Sequence, residues 1–534
     1  MQLKNIILIN VILTIIEIKE IKLFKCGSKY LNITPGILDT ENKSRKRRIE
    51  GEEKGKEYEK LIIGYDYYLF NKSKEVDDDT KNKVRQLLKE VSDLFYKLLS
   101  VKKFKAHISE DSEESLKELI KARCKISETS ENISELINQN SMTIFPVFEE
   151  FKESEDISMK GKYCLITRDM IPKGGILYIN KNINFREYNS YLYYKHILFH
   201  VMTHILIFEP NLMEGLGMLD DNKVVSERVR KLAELHFNCR EFLNNENFGV
   251  PLEEDGLHWD ARYMLGDYMI SFDYFDKVIS DITFALFDDS GIYNVDYLYG
   301  KYFNFGKNKT CSFFQKKCIE NGKSNFEEFC AVNNEPKCSQ SRLSKGICKI
   351  YNHSEDLPSE YRYFTNNQSG GIKQISYCPI SEPNEQKNYY FSTNCKHSKE
   401  DPNLKYGEQF GKNSFCFISS LASNDSEEAN NDDSICYEVE CHNITRSIIV
   451  IVNDTRINCS MNGGIITNPQ GLKGSLSCPK YNEICESKNS AICADMFDCI
   501  NENFSRDYIY DDFDFSHILK YKFLFFVILF IIII

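Results

Sequence analysis

Apolar and polar positions along this chain recur with different periods in different stretches. Behind an acidic, cap-rich start at Asp77, Asp78, Asp79 and Thr80, the residues Val84, Leu87, Leu88, Val91, Leu94 and Phe95 fall at helical spacing. They predict a helix over 81–101 with one buried stripe. A second helix is predicted over 113–121. The β-branched and aromatic run 59–70 reads as a strand, and 162–180 as short strands around a turn at Gly174 and Gly175. Residues 191–208 are apolar on every side and stop before Pro210, which predicts a buried helix. Another helix is predicted over 223–242. From Cys311 onward the pattern changes to closely spaced cysteines, Asn, Ser and Gly turns, and short runs such as SIIVIV (Ser447–Val452). That predicts a β-rich region stapled by disulfides.

The ends of the chain bear on its compartment. Residues 5–16 form an apolar run behind Lys4, shorter than the ~20 residues that cross a bilayer, and read as a signal peptide. Residues 523–534, FLFFVILFIIII, follow a polar spacer with Asp511, Asp512 and Ser516. That pattern fits a GPI-attachment signal, with a short membrane tail as the alternative. The basic cluster SRKRR at 44–48 reads as a propeptide processing site or as a plain charged loop. Nineteen cysteines include no CxxC pair, and setting aside Cys26 at the N-terminal end leaves an even eighteen for disulfides. A dozen glycosylation sequons, Asn71, Asn308, Asn443 and Asn453 among them, agree with an extracellular protein. The net charge of −12, without a basic block large enough to bind nucleic acid, argues against nucleic acid as a partner. The expected location is the secretory pathway and then the extracellular side of the cell surface, with the C-terminal tail or a GPI anchor in the membrane.

Candidate chemistry lies in the predicted buried helix, HILFHVMTHILIFEP at 196–210. His200 and His204 are four residues apart, which stacks two imidazoles on one helical face where they can share one Zn²⁺. Ten histidines in 534 residues give such a pair by chance roughly 0.2 times per chain, so the spacing alone also fits a packed pair. His196 and His200 form a second pair, either a shifted metal register or a packed histidine.

Several ordered islands resemble the leishmanolysin family of surface zinc metallopeptidases. HVMTHILIF stands where that family has HExxHxLGF, and GLHWDARYMLGDYM resembles its segment with the third ligand and the methionine turn. Between them lie LHFNCREF, with Cys239, and GVPLEEDG. Downstream, DITFALFDDSGIYNVDY, CSFFQKKC, SYCPI, GKNSFCF and GSLSCP keep the family's order. The resemblance implies an α+β zincin fold with a disulfide-rich, β-rich C-terminal subdomain. It also implies a zinc ion on His200, His204 and His258, with Met269 as the apolar floor. Asp260 and Asp267 stand where the family carries carboxylates, and either orient the ligands or are ordinary aspartates.

Two positions depart from the family pattern. Val201 replaces the glutamate that serves as general base, and it has no titratable group. Ile207 replaces a glycine at the turn after the second ligand, where a β-branched residue tolerates a left-handed φ poorly. Glu209 and Glu214 are the nearest carboxylates in sequence. The implied organisation is a signal peptide (1–20), a propeptide-like segment (21–48), an N-terminal catalytic-type subdomain (49–210), a central subdomain (211–310), a cysteine-rich subdomain (311–505) and a spacer with an apolar tail (506–534). The implied function is hydrolysis of extracellular proteins or peptides, impaired by the missing base. The alternative is a non-catalytic pseudoprotease that works in adhesion or protein binding.

Overall fold

The computed structural model describes residues 26, 28, 31–38, 57–103, 112–152, 157–185, 190–297, 303–383, 393–396, 398, 401–423 and 428–485. The expected signal peptide, the SRKRR cluster, the apolar tail, Cys493 and Cys499 lie outside them. Among the described residues, no helix is long and apolar enough to cross a membrane.

The N-terminal half begins with β1 (Gly36–Ile37), β2 (Tyr58–Lys60), β3 (Ile63–Tyr65) and α1 (Tyr68–Lys72). The strand read over 59–70 is therefore broken. Buried Asp66 turns the chain by accepting the backbone N–H of Tyr68 and of Ser130, both at 3.0 Å, and α1 follows. Helix α2 (Asp78–Leu98) starts where the acidic cap placed it, with the Asp77 carboxylate accepting the Thr80 N–H. Its stripe from Val84 to Leu98 is buried, and Phe95 stacks on Phe199 with ring centroids 4.4 Å apart. The helix ends sooner than its periodicity suggests, because β4 (Leu99–Lys102) pairs with β2 and with Tyr293–Val295. Tertiary pairing overrides local propensity there.

Helices α3 (Glu113–Cys124) and α4 (Ile133–Gln139) lead into β5 (Met142–Glu149), β6 (Met159–Ile166) and β7 (Pro172–Asn180). The main sheet has the order β1-β6-β7-β5-β3, in which β6 runs antiparallel to β7 and the other pairs are parallel. The turn expected at Gly174 and Gly175 lies instead at 167–171, with Met170 at φ 61°. Both glycines sit inside β7. A Cβ on Gly175 would meet Ile205 at 2.4 Å, and one on Gly161 of β6 would meet Ile205 at 2.7 Å and Val201 at 2.8 Å. These two glycines let helix α5 (Ser190–Leu206) lie directly on the sheet.

Beyond α5, Pro210 opens α6 (Pro210–Gly215) from a first-turn position. The helix expected over 223–242 begins only after a short strand, Lys223–Val224, which pairs with Leu219–Asp220 and Val250–Pro251. It then divides into α7 (Glu227–Phe237) and α8 (Glu241–Asn244) at Asn238, φ 56°. Helices α9 (Ala261–Met264) and α10 (Asp281–Asp289) complete the centre of the chain.

The region after Cys311 has a six-stranded antiparallel sheet built from β8 (Ser414–Ser419), β9 (Asp433–His442), β10 (Ser447–Val452), β11 (Thr455–Cys459), β12 (Gly464–Thr467) and β13 (Ser475–Cys478). It has its own core around Phe417, Tyr437, Val450 and Leu476. Eight disulfides join sixteen described cysteines, six of these bonds within the region after Cys311. Cys26 is the free cysteine among the described residues. The α+β organisation and the disulfide-rich C-terminal part are those the sequence predicts.

Because α5 rests on Gly161 without space for a side chain, Gly161→Val is expected to overpack the helix against β6 and lower stability by about 1–3 kcal/mol. Pairing it with Val201→Ala should recover part of the loss. Denaturant midpoints of the two variants check this; equal midpoints for wild type and Gly161→Val would contradict the close contact.

Candidate metal centre

Helix α5 carries the candidate ligands because its spacing and its surroundings agree. His200 and His204 stand one turn apart on a helix that is buried from His196 to its end. Their Nε2 atoms are 2.9 Å apart. His258 comes from a loop, and its ring lies 5.3 Å from that of His200 and 5.0 Å from that of His204, centroid to centroid. The fourth member is Cys26, whose Sγ is 3.3 Å from His204 Nε2. One donor atom from each of the four residues lies within 4.8 Å of the others, and all four are buried. His196 is buried but stands outside this group, so the shifted register has no geometric support.

The outward nitrogens are held in place. His200 Nδ1 bonds the Tyr268 carbonyl and His204 Nδ1 the Phe208 carbonyl, each at 2.8 Å. That arrangement fixes the tautomer and turns both Nε2 atoms inward. His258 Nε2 is buried without a hydrogen-bond partner. Three inward imidazole nitrogens and a thiol are the donor set of a tetrahedral Zn²⁺-type site, in which nitrogen lies at about 2.0–2.1 Å and sulfur at about 2.3 Å. The residues present therefore fit a metal ion.

Electrostatics favour negative charge at Cys26. Burial pushes the thiol up, but His204 and His258 outweigh that and hold it well below its ordinary range. His200 is pushed down to about 4 by burial. At His258 burial acts against the cation, yet the Cys26 thiolate and the Asp255 carboxylate push the ring up to about 10.

Of the carboxylates singled out in the sequence, none joins the cluster. Asp260 caps α9 by accepting the Arg262 N–H at 2.8 Å. Asp267 accepts from the Met269 N–H, the Ser280 N–H and hydroxyl, and the Thr283 hydroxyl. It shapes the turn that carries Tyr268 and Met269. Met269 is buried on that turn, and its carbonyl accepts the Trp259 N–H at 3.1 Å, tying the turn to the His258 segment. Glu209 is sealed in an ion pair with Lys162 at 2.7 Å, and it also accepts from Tyr163, Asn211 and the Leu212 N–H. Glu214 is exposed on α6.

The two departures have different consequences. Ile207 is not among the positive-φ residues. The N–H groups of Ile207 and Phe208 both reach the Thr203 carbonyl, at 2.9 and 3.0 Å, and the chain turns without a left-handed residue. His258 still reaches the helix. Val201 is fully buried, with its Cγ1 directed at Gly161 of β6, and its side chain carries only methyl groups.

Two residues that the fold brings to the histidines escaped the sequence reading. Asp255 lies 3.5 Å from His258 Nδ1. Cys26 had a signal, an odd cysteine far from the others, but only the fold shows where it goes. Its segment runs along the edge of β6. Ser28 Oγ accepts the Gly161 N–H, Gly36 and Ile37 pair with Leu165 and Ile166, and the Leu38 N–H reaches the Ile166 carbonyl at 2.9 Å.

Cys26 is buried against the rings, so it is expected to resist thiol alkylation in the native protein and to react after unfolding. Mass spectrometry of the alkylated peptide checks this; rapid native labelling would contradict the packing.

The leishmanolysin family profile matches residues 83–491. The chain is 26% identical over 318 residues to a leishmanolysin-like peptidase of Drosophila melanogaster, covering 51% of this chain and 45% of the relative. It is 25% identical over 224 residues to a leishmanolysin of Leishmania donovani, 40% and 37% of the respective lengths. A leishmanolysin of Leishmania chagasi is 25% identical over 355 residues, 61% and 57%. The chain thus spans roughly 37–57% of the length of these relatives. With a profile match over most of its length, the chain belongs to the leishmanolysin family of metallopeptidases.

Proposed function

We propose that this protein is a zinc-holding leishmanolysin homologue at the cell surface whose peptide hydrolysis is impaired by the loss of its general base. The observation that carries this reading is Val201, a buried aliphatic side chain one residue after the first histidine of the candidate triad. His200, His204 and His258 would hold the ion, with Met269 beneath. Zinc in such a site polarises a peptide carbonyl and activates water. The remaining work belongs to the protein. A side chain must take the proton from water and hand it to the leaving amine, and Val201 has no group that titrates. Glu209 is committed to Lys162 and to capping α6. Loss of a general base costs about 10²–10⁴-fold.

A peptidase of this family takes protein or peptide substrates, and an extended chain needs a strand edge to lie on. The edge of β6 beside α5 offers one, and Ser28, Gly36, Ile37 and Leu38 bond to it while Cys26 lies at the histidines in a fourth donor position. In this arrangement the site is closed. The apolar ends and the sequons support a glycosylated, membrane-held protein. The closed donor set also favours the second reading, a non-catalytic protein that keeps its metal for stability and uses its surface in adhesion or protein binding.

The secreted protein should contain about one zinc per chain and show no chelator-sensitive cleavage of casein. Introducing Val201→Glu together with Cys26→Ala should produce such cleavage, at least 100-fold above the Cys26→Ala variant alone. Elemental analysis and a casein assay decide it. Chelator-sensitive cleavage by Cys26→Ala equal to that of the double variant would contradict the claim that the base is missing. Chelation should also lower the melting temperature of the wild type, since an ion bound to the native state alone stabilises it. His258→Ala should lose that response; a chelator effect unchanged by the substitution would place the metal elsewhere.

A further inference from the structure

The third histidine is held differently from the other two. His200 and His204 are fixed by a shared helix and by neutral backbone carbonyls. His258 lies on a loop, where no helical register sets its ring. That loop is closed by the Glu253 N–H to the His258 carbonyl at 2.9 Å and by the Gly256 N–H to the Glu253 carbonyl at 2.8 Å. Gly256 takes φ 67°, which folds the loop back on itself. The fold-back carries the Asp255 carboxylate to the outer face of the His258 ring, with Oδ1 3.5 Å from Nδ1. The same oxygen accepts the Leu257 N–H at 3.0 Å, which anchors the carboxylate where the ring needs it. Both ring nitrogens of His258 are buried without a hydrogen-bond partner, so the Asp255 approach to Nδ1 is an ion-pair contact, and Nε2 is left on the inner face.

We propose that Asp255 is the positioning residue of the third metal ligand. It holds the His258 ring with Nδ1–H towards the carboxylate and Nε2 towards His200, His204 and Cys26. A carboxylate behind a ligating imidazole fixes its tautomer and raises its basicity. It also adds charge: a divalent ion, the Cys26 thiolate and Asp255 together sum to zero, which suits a centre with all four donors buried. Glu253 is the competing carboxylate in the loop, with a donor oxygen in the same group as Asp255 and His258. Its Oε1 accepts the Ser271 hydroxyl at 2.6 Å, which ties it to the segment after Met269 and leaves Asp255 to serve the ring.

This inference rests on the reading that the three histidines hold zinc, and its test keeps the two apart. Zinc affinity is measured on the full secreted protein by competition with a chromogenic chelator, alongside the melting temperature of the chelated form. Asp255→Asn is expected to bind zinc about 10–100-fold more weakly than wild type, with an unchanged melting temperature once both are metal-free. Glu253→Gln should bind as wild type does, and Asp255→Glu, which keeps the charge, should bind more tightly than Asp255→Asn. Wild-type affinity in Asp255→Asn, or equal losses in the Asn and Glu variants, would overturn the role of Asp255. A wild-type protein that binds no zinc would instead overturn the metal reading itself.

Discussion

Three imidazole nitrogens turned towards one another inside an apolar core are the constraint on which the rest of the structure depends. His200, His204 and His258 are buried, and the outer nitrogens of the helical pair are already bonded to the Tyr268 and Phe208 carbonyls. Their inner nitrogens converge with Cys26 instead of reaching water. Both ring nitrogens of His258 are buried without a hydrogen-bond partner, and such a group costs on the order of 1–3 kcal/mol. A cation shared with His200 and His204 would satisfy the inner one. The neighbouring structure serves this convergence. Gly161 and Gly175 bring α5 onto the sheet, the turn after Thr203 supplies the Phe208 carbonyl, and Asp267 shapes the turn whose Tyr268 carbonyl holds His200.

The N-terminal segment adds a second level of order. Cys26 lies at the rings, Ser28 accepts the Gly161 N–H, and Gly36 and Ile37 pair in parallel with the far end of β6. The N-terminal segment thus places a thiol at the histidines and pairs two residues with the β6 edge. Val201 and the buried Cys26 thiol are the two features on which the proposed loss of turnover rests.

Much of this was legible in the sequence, for physical reasons that differ by element. The acid-capped stripe of α2 and the all-round apolar α5 announce themselves through local periodicity, and both formed. The two histidines were readable because a helix converts a spacing of four into adjacency. His258, Met269 and the break at Val201 were found by resemblance, since no local rule links residue 258 to residue 204. Elements failed where partners distant in sequence decide. Gly174 and Gly175 look like a turn but are close-approach sites under Ile205 and beside Leu165. Residues 99–101 look helical but pair as a strand. For Asp260 and Asp267 the sequence left orienting or ordinary carboxylates open; Asp260 caps a helix, and Asp267 ties the turn whose Tyr268 carbonyl meets His200. Asp255 reaches the ring through a loop fold-back that depends on Gly256. Cys26 could be set apart by parity, but nothing local predicts its place 178 residues away, against His204.

The most direct test is zinc K-edge X-ray absorption on the purified, uncleaved protein, because it counts donors by element. A centre of His200, His204, His258 and Cys26 predicts three nitrogen scatterers at about 2.0–2.1 Å and one sulfur at about 2.3 Å. A shell of nitrogen and oxygen alone would contradict the closure by Cys26, and two or more sulfurs would place the metal at a different site.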